Sequence, residues 1–166
     1  MQNSPVINLA WQLACVETAA AKAPFIEPEH LLAALTKLRQ FCTGAGAEAL
    51  ARQGADLGAH RPELELVAEV LDEVAVEADA FRHDLRERLG KGTHDHAESQ
   101  TIHRSERSRK VFARAGALAA EMKSAEVKAG HLFLAILEER DTVGCRLLQE
   151  KGADLKTLAQ NTRERL

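Results

Sequence analysis

The chain has 166 residues, of which 45% are hydrophobic and 28% charged, with 22 basic and 25 acidic residues and a net charge of −3. That length suits one domain able to bury a core without disulfide or metal staples, and the composition excludes a disordered chain. The slight acidity argues against nucleic acid as the main partner, and 4% aromatics with no tyrosine leaves little on which bases or sugars could stack.

The elements read as helices in chain order. Alanine, leucine, glutamate and arginine dominate, no period-2 strand stands out, and the expected fold class is all-α. Residues 6–22 place Leu9, Leu13, Val16 and Ala20 on one helical face, and Pro24 ends that helix. A second helix is expected over 28–39 and a third over 45–53, closed by Gly54. Residues 62–89 carry Leu66, Val70, Leu71, Val74, Ala78, Phe81, Leu85 and Leu89, a spacing that fits one long helix or two with a bend, stopped by Gly90 and Gly92. GKGTHDHAESQTIHRSE (90–106) is polar and reads as an exposed linker. No apolar run approaches the roughly 20 residues that span a bilayer, and MQNSPVINLAWQLAC lacks the basic start of a secretory signal. Cys15, Cys42 and Cys145 are odd in number and show no CxxC spacing, as expected of reduced structural thiols in a cytoplasmic protein.

The chain repeats itself. With His30 set over His131, an offset of 101, Trp11 falls on Phe112, Ala14 on Ala115, Lys22 on Lys123 and Ile26 on Val127. HLLAAL (30–35) then falls on HLFLAI (131–136). LARQGADL (50–57) matches LQEKGADL (148–155) at an offset of 98, the drift lying in loop 40–44. Two collinear blocks at nearly one offset identify a duplicated helical unit whose copies cover each other's apolar faces. The expected architecture is two pseudo-twofold-related repeats, residues 1–57 and 100–166, with an extended helix and linker over 58–99, and with Trp11 and Phe112 at related core positions.

These features resemble the double Clp repeat at the N-terminus of Clp-family AAA+ unfoldases. The first copy shows the pattern as IEPEHLLAAL and QGADL, the second as VKAGHLFLAI and KGADL, and QTIHRSERSRKV (100–111) is similar to the start of the second copy in ClpC-type members. The resemblance spans the chain apart from 58–80, where about twenty acidic and apolar residues are added. That stretch reads as an elongated helix packed on the domain, or as an added docking surface. No GxxxxGK[ST] occurs, and LGKGT (89–93) has the wrong spacing for a phosphate loop.

The resemblance implies a non-catalytic receptor for clients or adaptors: no cofactor in this chain, ATP and Mg in a parent that is hexameric and works with a Clp peptidase, and an isolated domain that is monomeric. It implies neither nucleic acid nor membrane as partner. Binding is expected in a groove between the copies. A stand-alone Clp-repeat adaptor remains the alternative, as does a ClpV-like domain that docks a secretion-system sheath helix. Some ClpC-type members read phosphoarginine, with a glutamate from each copy on the guanidinium and hydroxyls near the phosphate. By position Glu29 matches the first glutamate, and Ser4 and Ser105 match the hydroxyls, whereas Gly130 stands where the second glutamate would be.

Each candidate also has a plainer reading. Pro28 and Glu29 suit the first turn of a helix, His30 and His131 recur as a helix-start pair, and Ser105 is a good N-cap. His94, Asp95, His96 and His103 are metal ligands by type but sit in one loop without supporting cysteines. Arg104, Arg107, Arg109 and Lys110 form a basic cluster, with Arg107 a candidate contact for an acidic ligand. Asp95, His103 and Ser105 hold the residue types of a hydrolase triad without the spacing that would build its geometry.

Overall fold

Ser4 and Ser105 begin the two halves in the same way. In the computed structural model, which describes residues 2–52, 57–97 and 100–166, the Ser4 hydroxyl accepts the Ile7 N–H at 3.2 Å and the Ser105 hydroxyl accepts the Ser108 N–H at 3.1 Å. Each satisfies an amide that the first helical turn leaves without a partner. The helices they cap are α1 (Pro5–Ala20) and α6 (Glu106–Glu121), both of 16 residues. They also end alike. Lys22 and Lys123 take the left-handed φ of 50° and 56°, and the amides that follow, of Ala23 and Ser124, bond back to the carbonyls of Thr18 and Ala119. This is a Schellman-type close with lysine in the place glycine usually fills.

The rest of each half follows the same order. α2 (Pro28–Lys37) corresponds to α7 (Ala129–Glu138), and α3 (Gly44–Arg52) to α8 (Val143–Glu150). α4 (Arg61–Glu73) and α9 (Leu155–Glu164) are the fourth helices and lie against each other. α5 (Ala78–Leu89) is additional and packs on α2 and α8. The segment 62–89 is thus two helices rather than one. Ala75 at φ 58° turns the chain between them, and the apolar positions read from the sequence remain buried or partly buried on both sides of the break. Gly54 and most of the first QGADL lie outside the described residues.

The halves interlock through short parallel strands. β1 (Gln2–Asn3) pairs with β2 (Glu126–Val127), and the bridge of Ile26 to Arg104 is its pseudo-twofold mate. The start of each repeat therefore pairs with the segment ahead of the second helix in the other. The Ser4 N–H bonds to Val127 O at 2.9 Å and the Ser105 N–H to Ile26 O at 3.0 Å. These pairs are too short for a period-2 pattern to reveal.

At the centre are α2 and α7, buried along almost their whole length, with Leu31, Leu32 and Leu35 facing a core shared with Leu132, Phe133 and Ile136. Four of the expected positions fall elsewhere, Ala20 being exposed like Val16. Val16 is 59% exposed because the buried stripe of α1 runs through Ile7, Ala10, Leu13, Ala14 and Glu17 instead. Trp11 and Phe112 are related as the repeat requires but are only half-buried. Their rings meet edge to face at 5.9 Å, and the Arg104 guanidinium covers both at about 5 Å. The stretch after α5 is exposed but tied down: Gly92 N–H bonds to Ala21 O at 2.8 Å and His94 N–H to Lys22 O at 3.0 Å. A Cβ on Gly92 would lie 2.4 Å from the Lys22 carbonyl oxygen, so only glycine allows this approach. Among the described residues no helix is long and apolar enough to cross a membrane.

Candidate functional site

Each second helix begins with a histidine that caps it. The Glu27 N–H donates to His30 Nδ1 at 3.0 Å, and the Lys128 N–H donates to His131 Nδ1 at 2.9 Å. A ring nitrogen that accepts carries no proton, so both imidazoles act here in the neutral form. Burial pushes both below their ordinary range, for His30 against the pull of Glu29, Glu27 and Glu17, and for His131 with help from the Lys128 charge. A lowered base stabilises the fold above its unfolded pKa and withdraws that stability as pH falls through the folded value. Thermal unfolding is therefore expected to move to lower temperature below about pH 6.5. The double variant His30→Gln/His131→Gln should show a flatter profile over that range.

Glu29 reaches across the interface between the halves. Its carboxylate is buried and accepts the Val143 N–H at 3.2 Å at the start of α8, where Thr142 caps the Cys145 N–H. Arg107 stands 3.9 Å away, with its side chain about half exposed. Ser105, besides capping α6, donates its hydroxyl to Glu27 at 2.8 Å. Glu29, Arg107 and Ser105 thus share one neighbourhood, with Glu27 between them. Ser4 is elsewhere: its hydroxyl donates to Glu63 at 2.6 Å and accepts the Ile7 N–H, so both of its roles are taken within the fold.

Beside Glu29 a groove opens. One part, of about 680 Å³, is lined by Ala21, Lys22, Glu27, Glu29, His94 and Arg107. It continues past His30, Leu89 and Gly90 into an apolar part of about 400 Å³ floored by Ala20, Ala33 and Leu89. Glu17 and Arg86 border that floor as a two-pronged ion pair at 2.8 and 2.5 Å. The groove lies mainly among α1, α2 and α5, and of the residues named only Arg107 comes from the second repeat. Sequence reading missed Glu17, Arg86 and Glu63. Each pairs at a separation of more than 55 residues, and no local pattern signals such a contact.

Among the described residues the loop histidines form no chemical constellation. His94 and His96 rings are 4.5 Å apart, but His96 Nε2 lies 2.7 Å from Ala23 O and Asp95 pairs with Lys22 at 2.6 Å. The His103 carbonyl accepts the Ile26 N–H, and Ser105 donates to the Glu27 carboxylate rather than to His103. Two other groups have ligand atoms within 4.8 Å of one another: His60, Glu63 and Glu126, and the surface set His83, Asp84 and Glu87.

The description "Clp repeat (R) N-terminal domain" matches residues 63–151, more than half of the chain. The chain belongs to that family. The match starts at Glu63, so it takes in most of the 58–80 stretch, whose residues 61–73 form α4, the fourth helix of the first half. Solved structures share the fold of this Clp N-terminal domain. The Hsp104 N-terminal domain from Candida albicans is 15% identical, with 98% of this chain and 89% of that one covered at a TM-score of 0.69. The N-domain of ClpV from Vibrio cholerae is 18% identical, with 96% and 81% covered at 0.63. The N-terminal domain of the ClpD chaperone from Arabidopsis thaliana is 14% identical, with 99% and 94% covered, also at 0.63. No curated protein sequence matches the chain. Clp N-terminal domains are non-catalytic modules of AAA+ proteins.

Proposed function

We propose that this domain is the recognition module of a Clp-type ATP-dependent unfoldase or chaperone, and that the groove among α1, α2 and α5 receives an apolar segment of a client or adaptor. The observation that carries the proposal is the continuity of the groove: an apolar floor open to solvent, with a charged rim of both signs along its length. Small floor residues leave room for a partner's side chains, and the mixed rim supports orientation without demanding one charge. ATP and Mg would belong to the ATPase modules of the parent. Modest affinity at one groove would be multiplied when six domains face one client. Phosphoarginine fits poorly, since Arg107 already stands at Glu29 and Gly130 offers no second carboxylate.

Ala20 tests the proposal. It is exposed at the end of α1, where an arginine also suits the helix dipole. Ala20→Arg is expected to weaken binding of apolar client peptides by about tenfold or more while leaving thermal unfolding unchanged. Unchanged affinity, measured by fluorescence anisotropy, would reject the groove. The coding frame after Leu166 tests the parent: a GxxxxGK[ST] motif downstream supports the unfoldase, and an immediate stop codon supports the stand-alone adaptor.

A further inference from the structure

The two repeats present related hollows that differ in charge. In the first, Lys22, Ala23, Pro24, Glu27, Glu29 and His30 line one side of the groove. Their mates Lys123, Ser124, Ala125, Lys128 and His131 line a separate hollow of about 350 Å³ in the second. Lysine has replaced Glu27 there, and Gly130 has replaced Glu29. A Cβ on Gly130 would lie 2.7 Å from Leu166 Cδ2, so the missing side chain is what lets Leu166 close one wall of the hollow.

His131 gives this hollow a specific donor. Its Nδ1 accepts the Lys128 N–H, so the neutral ring carries its proton on Nε2. The residue is 1% exposed, and among the described residues no protein atom partners Nε2. A buried N–H without an acceptor is rare, because it has lost its hydration with nothing in return. The lysines supply positive charge beside it. Glu126, the acid of the lining, has a carboxylate oxygen within 4.8 Å of ligand atoms of His60 and Glu63, and so is grouped with them. Met122 and Leu166 add apolar surface.

We infer that this hollow binds a carboxylate borne on an apolar residue, such as the end of a peptide chain. One carboxylate oxygen accepts the His131 Nε2–H, Lys128 and Lys123 balance the charge, and Met122 and Leu166 cover the adjoining side chain. The hollow's volume suits a single residue better than a long segment. Charge-assisted bonds of this kind are the strong ones, and a site built to donate them discriminates sharply against an uncharged analogue. The site shares no lining residue with the groove proposed for clients.

N-acetyl-leucine is the probe, followed by NMR of the His131 ring in the whole chain. It is expected to shift the Nε2–H resonance saturably at millimolar concentration, whereas N-acetyl-leucinamide, which lacks the charge, leaves it in place. Lys128→Gln, a change on a half-buried side chain outside the core, should weaken the effect roughly tenfold. Ala20→Arg should not alter it, so failure here is separable from failure of the client groove. Absence of a saturable shift, an equal shift with the amide, or a response to inorganic phosphate alone would overturn the assignment.

Discussion

Glu63→Ala is expected to destabilise the domain by about 3 kcal/mol, read as a drop in denaturant midpoint with unchanged slope. Glu63 is 8% exposed, and its Oε1 accepts both the Ser4 hydroxyl at 2.6 Å and the Ala129 N–H at 2.7 Å. One oxygen thereby joins the starts of α1, α4 and α7. Alanine would leave a buried hydroxyl and a buried helix-start amide without partners, and each orphan costs about 1–3 kcal/mol. Glu63→Gln should behave differently, because its amide oxygen can still accept both bonds. Burial holds the Glu63 carboxyl above its ordinary range, and the bonds from Ser4 and Ala129 only partly offset this. A carboxyl raised on folding binds its proton more tightly in the folded state. Its contribution to stability therefore falls as pH rises from the unfolded value, about 4.3, through the folded one. At neutral pH the glutamine variant should match the parent closely. On acidification toward pH 5 the parent should gain relative to it.

What the sequence made legible was whatever the duplication wrote twice. The paired histidines, the paired serines, the aligned lysines and the two apolar runs all fall at one offset, and all prove to be related by the pseudo-twofold axis. Even Gly46 and Gly144 align, at the second offset of 98. A Cβ on either would meet an atom closer than 2.5 Å, Gln40 O for Gly46 and Leu32 Cδ2 for Gly144. α5, which has no mate in the repeat, was legible only through its own apolar spacing, and contacts made once were hidden, the crossed strands being two residues long. Glu17 with Arg86 and Ser4 with Glu63 depend on how helices distant in the chain come to lie side by side. Trp11 and Phe112 show the limit of repeat reasoning: the alignment fixes that they are equivalent, not that they are deep. Glu29 shows the same limit for the candidate site. Its position made it a possible ligand contact, while its packing makes it a link from α2 to the start of α8.

Phe133→Ala should cost the domain about 3–5 kcal/mol. Phe133 is fully buried in the middle of α7, which touches α1, α2, α4, α6 and α9, so nothing at the surface can fold in to fill the space. Its repeat mate is Leu32 in α2, and the two sites are expected to answer an exchange unequally. Phe133→Leu copies the residue of the mate and leaves a smaller gap, costing about 1–2 kcal/mol. Leu32→Phe has no room to succeed. The Cβ-less face of Gly144 already lies against Leu32, so close that one added carbon there would sit 2.4 Å from Leu32 Cδ2. Extra ring atoms at position 32 must therefore push α8 away from α2, at about 1–3 kcal/mol, and that movement would also pull the Val143 N–H from Glu29. If the double exchange Phe133→Leu/Leu32→Phe, assayed by urea unfolding, were as stable as the parent, the two halves would share one interchangeable core. A loss near the sum of the two single changes would instead mean that each repeat has settled around its own central side chain, the aromatic in the half that carries the basic hollow and the aliphatic in the half that carries the groove.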